Sequence, residues 1–250
     1  MAEPSGLTAA LRDGGKLFTI ARLRERMGPG NPLYELLAQL SLRDVLVEKD
    51  DFVGTLSTLK WTVSNSGGAG VANFARRANV AGGHIRGDPG TADDADVRMI
   101  METEVFTADR RAAILGRVSE VTVALSKFEF GFIDAAAAGA VLVKTTPTST
   151  ATDYAVVIRD TDHNTSIDLV SDGGTDAVGL VASSGSAPAL ADGDFVVVLL
   201  TLNEQRECYF WLNGGFAGVR RAGPDATVTL TPWLYAQNRS GASRPVDCDY

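Results

Sequence analysis

Residues 194–238, DFVVVLLTLNEQRECYFWLNGGFAGVRRAGPDATVTLTPWLYAQN, decide the fold of this chain. They contain a long apolar strand, a second strand that reverses at Asn213-Gly214, and a third strand that ends in aromatic residues. Asn-Gly between two apolar runs is a strong hairpin signal, because both central residues of a type I′ turn need positive φ. In residues 194–202 the side chains on both faces of the strand are apolar, which predicts a strand covered on both faces, as in a two-sheet sandwich.

Composition limits the classes of partner. The chain has 250 residues, of which 45% are hydrophobic, so it can bury a sizeable core as one large β-domain. Its net charge of −8 disfavours binding to a phosphate backbone, and we expect no nucleic-acid partner. No apolar run is long enough to span a membrane, and the polar start lacks a signal peptide, so we expect neither membrane insertion nor export. Cys208 and Cys248 are predicted to be partly buried thiols.

The N-terminal region differs in kind from the rest of the chain. We predict a helical anchor segment at residues 1–48 and a β-sandwich domain at residues 49–250. A first, basic helix is predicted at residues 16–27, where Gly28-Pro29-Gly30 ends it, and a second helix is predicted to begin at Asn31-Pro32.

These two helices carry an apolar stripe. Its members are Leu17, Ile20, Leu33, Leu36, Leu37 and Leu40. The stripe either packs on the protein's own sandwich or anchors the domain to a neighbouring subunit.

From residue 51 onward the pattern predicts about a dozen short strands and no convincing helix. The predicted strands are at residues 59–63, 71–75, 83–86, 97–106, 117–133, 141–144, 154–159, 167–170, 179–181, 195–202, 208–212, 216–220 and 228–237. Residues 117–133 are too many for one flat strand, so a turn or bulge is expected near Ser126-Lys127.

Four motifs in this region carry a family resemblance. They are FEFGFIDA (128–135), YAVVIRDTD (154–162), YFWLNGG (209–215) and LTPWLYAQN (230–238). Their order resembles that in concanavalin A-like, laminin G-like jelly rolls, in particular the versions found in tailed-bacteriophage virion proteins. The resemblance covers residues 51–250 and implies an all-β, antiparallel two-sheet jelly-roll sandwich. The short helical N-terminal extension is predicted from its own residue pattern and lies outside the resemblance. The motifs are packing and turn signatures, so they specify fold better than function.

Carboxylate pairs do not predict a glycosidase. Such an enzyme needs two carboxylates that flank the sugar bond, which on one strand means even spacing. Glu129 and Asp134 are five residues apart and are expected on opposite faces. Glu102 and Glu104 share a face but are more simply a solvated stripe. The Glu-x-Asp-x-x-Glu pattern of resembling glucanases is absent, so we expect a protein that is not an enzyme.

Other chemistry is not indicated either. There is no G-x-S-x-G motif and no phosphate-binding glycine loop, and no cofactor is implied. The two histidines, His84 and His163, are predicted to be ordinary surface or edge residues.

The loop containing Asp160, Asp162 and Asn164 is the candidate metal site. Oxygen ligands at alternate positions can wrap Ca²⁺, but a complete site needs six or more oxygens, and turn chemistry alone also selects Asp and Asn. We therefore predict no metal, while the loop remains the candidate. Three tryptophans could stack on a sugar, although strand aromatics usually pack in a core: Trp61, Trp211 and Trp233.

The functional expectation rests on the resemblance, the missing catalytic set and the N-terminal extension. We expect a non-enzymatic bacteriophage virion structural protein, a capsid decoration or head-fibre protein made in the host bacterial cytoplasm and displayed on the virion surface. Its expected partner is the major capsid protein, and a homo-oligomer, with a trimer favoured, would cover open sheet edges. The alternative is a carbohydrate-binding module of a tail fibre or baseplate that recognises a host glycan.

Overall fold

The computed structural model describes residues 11–13, 16–18, 60–65, 73–77, 83–101, 106–134, 140–143, 148–149, 151–163, 165–173, 181–182 and 190–249. Contacts divide the chain into two units, Met1–Asp50 and Asp51–Tyr250. Within the described part of the chain, no helix is long and apolar enough to cross a membrane.

In the first unit a short antiparallel hairpin is described. Strand β1 (Leu11–Asp13) pairs with β2 (Lys16–Phe18), with Leu11 opposite Phe18. The predicted start of a helix at Lys16 is therefore wrong, and Leu17 lies on a strand. The reason is local, since two glycines separate these strands in the sequence and a Gly-Gly pair favours a hairpin over a helix start. The other predicted anchor residues lie outside the described residues: Ile20, Leu33, Leu36, Leu37 and Leu40.

The second unit contains two seven-stranded antiparallel sheets. The strands of the first, the front sheet, are β3 (Trp61–Asn65), β6 (Asp96–Met101), β8 (Ser126–Ile133), β11 (Asp153–Asp160), β12 (Ile167–Gly173), β13 (Val181–Ala182) and β17 (Thr231–Asn238). Their order is β13-β12-β11-β8-β17-β6-β3. A separate two-stranded ladder joins β9 (Leu142–Val143) to β10 (Thr148–Ser149).

The second sheet, the back sheet, completes the sandwich. Its strands are β4 (Asn73–Arg76), β5 (Ile85–Asp88), β7 (Ala113–Glu120), β14 (Phe195–Leu202), β15 (Cys208–Leu212), β16 (Gly215–Arg220) and β18 (Val246–Asp249). Their order is β16-β15-β14-β7-β18-β5-β4. Two antiparallel sheets with a shared core confirm the predicted jelly-roll sandwich.

The main core comes from alternating positions on both sheets. Phe128, Phe130 and Phe132 of β8 and Val196 and Val198 of β14 all belong to one buried cluster. On the opposite face of β14, Leu199 is buried while Phe195 is only partly buried. The inward face of β14 is covered as predicted. Its outward face is covered at Leu199 and only partly covered at Phe195.

The predicted hairpin is confirmed, and one predicted turn is displaced. Asn213 and Gly214 have φ of 50° and 81° between β15 and β16. The long predicted strand at 117–133 instead breaks at residues 121–125, before Ser126, where Leu125 has a φ of 56°. An apolar alternation continues through residues 121–125 in the sequence, so the break was predicted too far along the chain.

Candidate functional site

Two surfaces of the sandwich bring charged or polar side chains together with aromatic ones. The first is the outer face of the front sheet, which points away from the main core. Because Phe128 and Phe130 of β8 point inward, Lys127 and Glu129 lie on this outer face. Tyr235 of β17 is directly opposite Glu129 in the register.

Lys127 and Glu129 form a buried ion pair on this face. The Lys127 Nζ lies 2.8 Å from Glu129 Oε1, and neither side chain is exposed. The same ammonium is 5.3 Å from the centre of the Tyr235 ring. Trp233 donates its indole N–H to Glu129 Oε2 at 2.9 Å, and its ring stacks with that of Tyr235 at 5.7 Å. Burial, together with the nearby carboxylates of Asp96 and Glu129, raises the pKa of Tyr235 well above its ordinary value.

The protein's own chain covers this outer face. The backbone N–H of Val141 donates to Glu129 Oε2 at 2.8 Å, and Val141 is fully buried. Val141 belongs to a second apolar cluster that also includes Trp233 and Tyr235. The side chains of Lys127, Glu129, Trp233 and Tyr235 are therefore packed inside the protein.

Two carboxylates of this face approach the same ammonium. Lys127 Nζ lies 2.8 Å from Glu129 Oε1 and 3.8 Å from Asp160 Oδ2. Asp134 lies just beyond the end of β8, where its backbone N–H donates to Asp153 O at 2.8 Å and its carboxylate accepts from Thr152. Glu102 and Glu104 lie outside the described residues.

The candidate metal loop is occupied by an arginine. Arg239 Nε donates to Asp160 Oδ1 at 2.9 Å, and its Nη2 donates to Asp160 Oδ2. Asp162 Oδ2 lies 3.7 Å from the same guanidinium, and Asp94 accepts from Arg239 Nη1 at 2.8 Å. Asn164 lies outside the described residues. Across the described ranges, no group of three or more His, Cys, Asp or Glu side chains is placed to hold a metal ion.

One histidine differs from its prediction. His84 is buried, with Nε2 2.8 Å from Asp249 Oδ2 and its ring edge-on to Phe195 at 5.2 Å. The surface prediction for His84 was wrong because the carboxylate and the ring that cover it come from distant parts of the chain. His163 is partly exposed, as predicted.

Both cysteines are free and buried. Burial raises the pKa of Cys208 to about 12, and burial raises the pKa of Cys248 even further above its ordinary value. A thiol with so high a pKa is almost never a thiolate at neutral pH, so neither cysteine is suited to nucleophilic chemistry.

The second surface is an aromatic strip on the outer face of the back sheet, formed by Tyr209, Trp211 and Phe216. In β15 the side chains of Cys208, Phe210 and Leu212 are buried, so Tyr209 and Trp211 point outward. Their ring centroids are 6.1 Å apart and their planes differ by 23°. Phe216 of β16 lies edge-on to Trp211 at 5.8 Å and is 50% exposed.

Polar groups border one end of the aromatic strip. Glu207 Oε2 accepts hydrogen bonds from the Tyr209 hydroxyl at 2.5 Å and from Asn203 Nδ2 at 3.0 Å. The hydrogen bond to the Glu207 carboxylate raises the pKa of Tyr209, and the same bond lowers the pKa of Glu207. Arg221 Nε lies 3.5 Å from Glu207 Oε1. The strip thus combines exposed ring surface with a carboxylate, an amide and a guanidinium.

The tryptophans named from the sequence fall into three different environments. Trp211 lies in the strip, Trp233 is buried on the front sheet, and Trp61 is partly buried against the main core. Tyr209 and Phe216 were missed, although their alternation with buried β15 and β16 residues was the available signal. Lys127 and Arg239 were also missed, and only Lys127 had a local signal, a charge that alternates with phenylalanines.

Comparisons with known proteins bear on the fold. No protein-family model matches the sequence, and no curated protein matches it. Among solved structures, a point mutant of the Emp46p carbohydrate recognition domain has a TM-score of 0.51 at 8% identity, over 81% of this chain and 97% of that one.

Two further solved structures have a similar fold. One, described for endo-acting O-glycanases of the human gut microbiota, has a TM-score of 0.56 at 9% identity, over 82% of this chain and 95% of that one. LamAcat from Zobellia galactanivorans has a TM-score of 0.54 at 13% identity with the same coverage. At these identities the likeness shows the fold alone, which is a two-sheet jelly-roll sandwich.

Proposed function

We propose that this protein is a non-enzymatic carbohydrate-binding protein that holds a glycan on the aromatic strip. The observation that carries the proposal is the strip itself, with Tyr209 and Trp211 side by side, Phe216 half exposed, and Glu207 at its end. A sugar ring has an apolar C–H face that packs on an aromatic ring, and hydroxyl groups that need polar partners.

The polar side chains at the end of the strip can supply the hydrogen-bond partners that sugar hydroxyls need. Glu207 can accept from sugar hydroxyls, while the Asn203 amide and the Arg221 guanidinium can donate to them. Glu207 is already oriented by the Tyr209 hydroxyl, so little side-chain entropy remains to be lost on binding.

The non-enzymatic part of the proposal rests on the front sheet. Glu129 and Asp160 share the Lys127 ammonium, and Val141 and Trp233 donate hydrogen bonds to Glu129 Oε2. The Glu129 carboxylate is therefore buried and engaged on both oxygens, which does not suit it to act on a glycosidic bond. The similarity in fold to a carbohydrate recognition domain supports carbohydrate binding. The similarity in fold to a structure described for O-glycanases also supports a carbohydrate ligand, but it carries no catalytic residue over to this chain.

The virion role expected from the sequence is the second candidate. Two observations favour it, the division of the chain into the units Met1–Asp50 and Asp51–Tyr250 and the exposed Phe216, because exposed aromatic patches also serve protein contacts. In this candidate the protein is a capsid decoration or head-fibre protein that forms a homo-oligomer, a trimer favoured, with the first unit bound to the major capsid protein. A carbohydrate-binding module of a tail fibre or baseplate would combine the two candidates, because it is a virion component that binds a host glycan.

A glycan array tests the proposal. We expect wild-type protein to bind a subset of glycans, and Trp211→Ala and Phe216→Ala to weaken that binding roughly tenfold each. Leu125→Ala is the matched control, since Leu125 is also a large exposed apolar residue but lies on the turn between β7 and β8, outside the strands that form the strip. Array binding that Trp211→Ala leaves intact would exclude the strip, and a wild-type protein that binds no glycan but forms Phe216-dependent oligomers would favour the second candidate.

A further inference from the structure

We propose that the aromatic strip takes a neutral sugar with two adjacent hydroxyl groups, which Glu207 and Arg221 hold together, and that Glu207 excludes acidic sugar groups from this position. The carboxylate of Glu207 and the guanidinium of Arg221 are the polar pair. This inference rests on the proposed function, because it names the class of glycan that the strip would take.

Glu207 lies at the end of the strip and on the same face of the sheet. Cys208 is buried in the main core, so the residues on either side of it, Glu207 and Tyr209, point outward. The Tyr209 hydroxyl donates to Glu207 Oε2 at 2.5 Å. The Glu207 side chain is 25% exposed, so a ligand on the Tyr209 and Trp211 rings can reach its carboxylate.

The two carboxylate oxygens of Glu207 have different neighbours. Oε2 accepts from the Tyr209 hydroxyl and from Asn203 Nδ2, at 2.5 and 3.0 Å. Oε1 lies 3.5 Å from Arg221 Nε, and it accepts no hydrogen bond from the part of the chain that the structure describes. Each carboxylate oxygen has two acceptor positions, so Oε1 is available to a hydroxyl donor.

Arg221 places donors next to this acceptor. Its side chain is 80% exposed, and a guanidinium carries five N–H donors and no acceptor. A hydroxyl group both donates and accepts, so one hydroxyl of an adjacent pair can donate to Glu207 Oε1 while the other accepts from Arg221. A single hydroxyl would use only one member of the polar pair. The arrangement therefore matches two neighbouring hydroxyls on one sugar ring.

The loop that carries Glu207 is held in place by its own hydrogen bonds. Asn203 Oδ1 accepts from the backbone N–H groups of Gln205 and Glu207, at 3.0 and 2.9 Å. Arg206 Nε donates to Gly223 O at 3.0 Å. These contacts fix the carboxylate before a ligand arrives, so little conformational entropy is lost on binding.

Charge excludes an acidic sugar group from the same position. The hydrogen bond from Tyr209 lowers the pKa of Glu207, so this group is a carboxylate at neutral pH. A sugar carboxylate or sulfate at Oε1 would bring a like charge and no proton to donate. Arg221 offsets this little, because a largely exposed ion pair contributes little free energy.

A glycan array with matched pairs tests the inference. The members of each pair differ only by a terminal sialic acid or sulfate, and we expect wild type to bind the neutral member more strongly. Glu207→Gln keeps an acceptor for Tyr209 but loses the charge, so it should weaken binding of the neutral member roughly fivefold and reduce the difference within each pair. Glu204→Gln is the matched control, since Glu204 is an exposed residue of the same loop that bonds to Gln205.

A second measurement tests the hydroxyl pair itself. Derivatives of a bound neutral glycan, each with one hydroxyl converted to a methyl ether, should lose binding at two adjacent positions. Wild-type protein that binds no glycan, or binding that Trp211→Ala leaves intact, overturns the proposed function and this inference together. Trp211-dependent binding that favours the acidic member, that Glu207→Gln leaves unchanged, or that depends on a single hydroxyl overturns this inference alone.

Discussion

The Lys127 ammonium lies 2.8 Å from the Glu129 carboxylate, and both side chains are completely buried although they are on the sheet face that points away from the main core. Charged groups on such a face are ordinarily solvated. Here Val141 is packed over this face, and Trp233 and Val141 donate hydrogen bonds to Glu129 Oε2. Glu129 is therefore engaged on both oxygens, and the effect of the pair on stability depends on keeping both partners.

Removing one partner should therefore cost more than removing both. We expect Lys127→Met to lower the free energy of unfolding by about 3–5 kcal/mol, because it leaves Glu129 buried without a cation. The double variant Lys127→Met, Glu129→Gln should regain part of this loss, since a neutral amide oxygen still accepts from Trp233. Urea unfolding of the single and double variants measures the coupling. Strictly additive losses would mean that the two charges do not interact.

A second buried carboxylate makes stability depend on pH. Glu120 accepts from Arg159 Nη1 at 2.5 Å and from Ser126 Oγ at 2.6 Å, which connects the back sheet to the front sheet. Burial raises the pKa of Glu120 from 4.5 to about 7, despite the opposing effect of Arg159. Between those two pH values the folded state binds more protons than the unfolded state, so stability falls as pH rises.

Glu120→Gln should remove this pH dependence. The wild-type free energy of unfolding, relative to that of Glu120→Gln, should fall by about 3 kcal/mol between pH 4.5 and pH 8, at 1.36 kcal/mol per unit of pKa shift. Denaturant unfolding at a series of pH values measures the difference. A difference that stays constant, or that grows in favour of wild type as pH rises, would show that burial does not dominate at Glu120.

The hairpin at Asn213 depends on backbone conformation and on one side chain. Asn213 has a φ of 50°, and its Oδ1 accepts from Val197 N–H at 2.8 Å. Asn213→Val with Gly214→Val should lower stability by a few kcal/mol, on the order of 3, because β-branched residues resist positive φ. Asn213→Gly is the matched control, which keeps the φ and loses only the side-chain bond, and should cost about 1 kcal/mol. Equal Tm values for wild type and the Val-Val variant would contradict this account of the turn.

Deleting residues 1–48 should leave a folded β-domain. Both seven-stranded sheets and both apolar clusters are built from residues of the Asp51–Tyr250 unit. Circular dichroism and a cooperative thermal transition of the truncated protein check this expectation. A truncated protein that is insoluble or molten would mean that the predicted anchor segment belongs to the sandwich core.

Most strands and turns could be predicted from local sequence patterns, but contacts between distant parts of the chain could not. The Asn213-Gly214 turn could be predicted because its signal is contained in two adjacent residues. Arg239 could not be placed, since its partners Asp94 and Asp160 are 145 and 79 residues away in sequence. Strand β18 was likewise not assigned, because its aspartates look like loop residues until Arg86 and Arg117 are found to pair with them.

The same limit applies to the candidate site. Trp211 was named from the sequence as a possible sugar-stacking residue, but so were Trp61 and Trp233, and nothing local separates them. The structure distinguishes them, because Trp233 is buried against Glu129 while Trp211 lies beside Tyr209 on an outward face. Which aromatic faces solvent is decided by the segments that pack over each sheet.

Nuclear magnetic resonance of the three tryptophan indole N–H groups tests the central claim most directly. The three signals are assigned by single Trp→Phe variants and followed while an array-positive glycan is added to labelled protein. We predict that the Trp211 signal shifts in a saturable way and that the Trp233 signal does not, because its N–H is buried and bonded to Glu129. A saturable shift of Trp233 with Trp211 unchanged would contradict the account and would place the glycan on the front sheet.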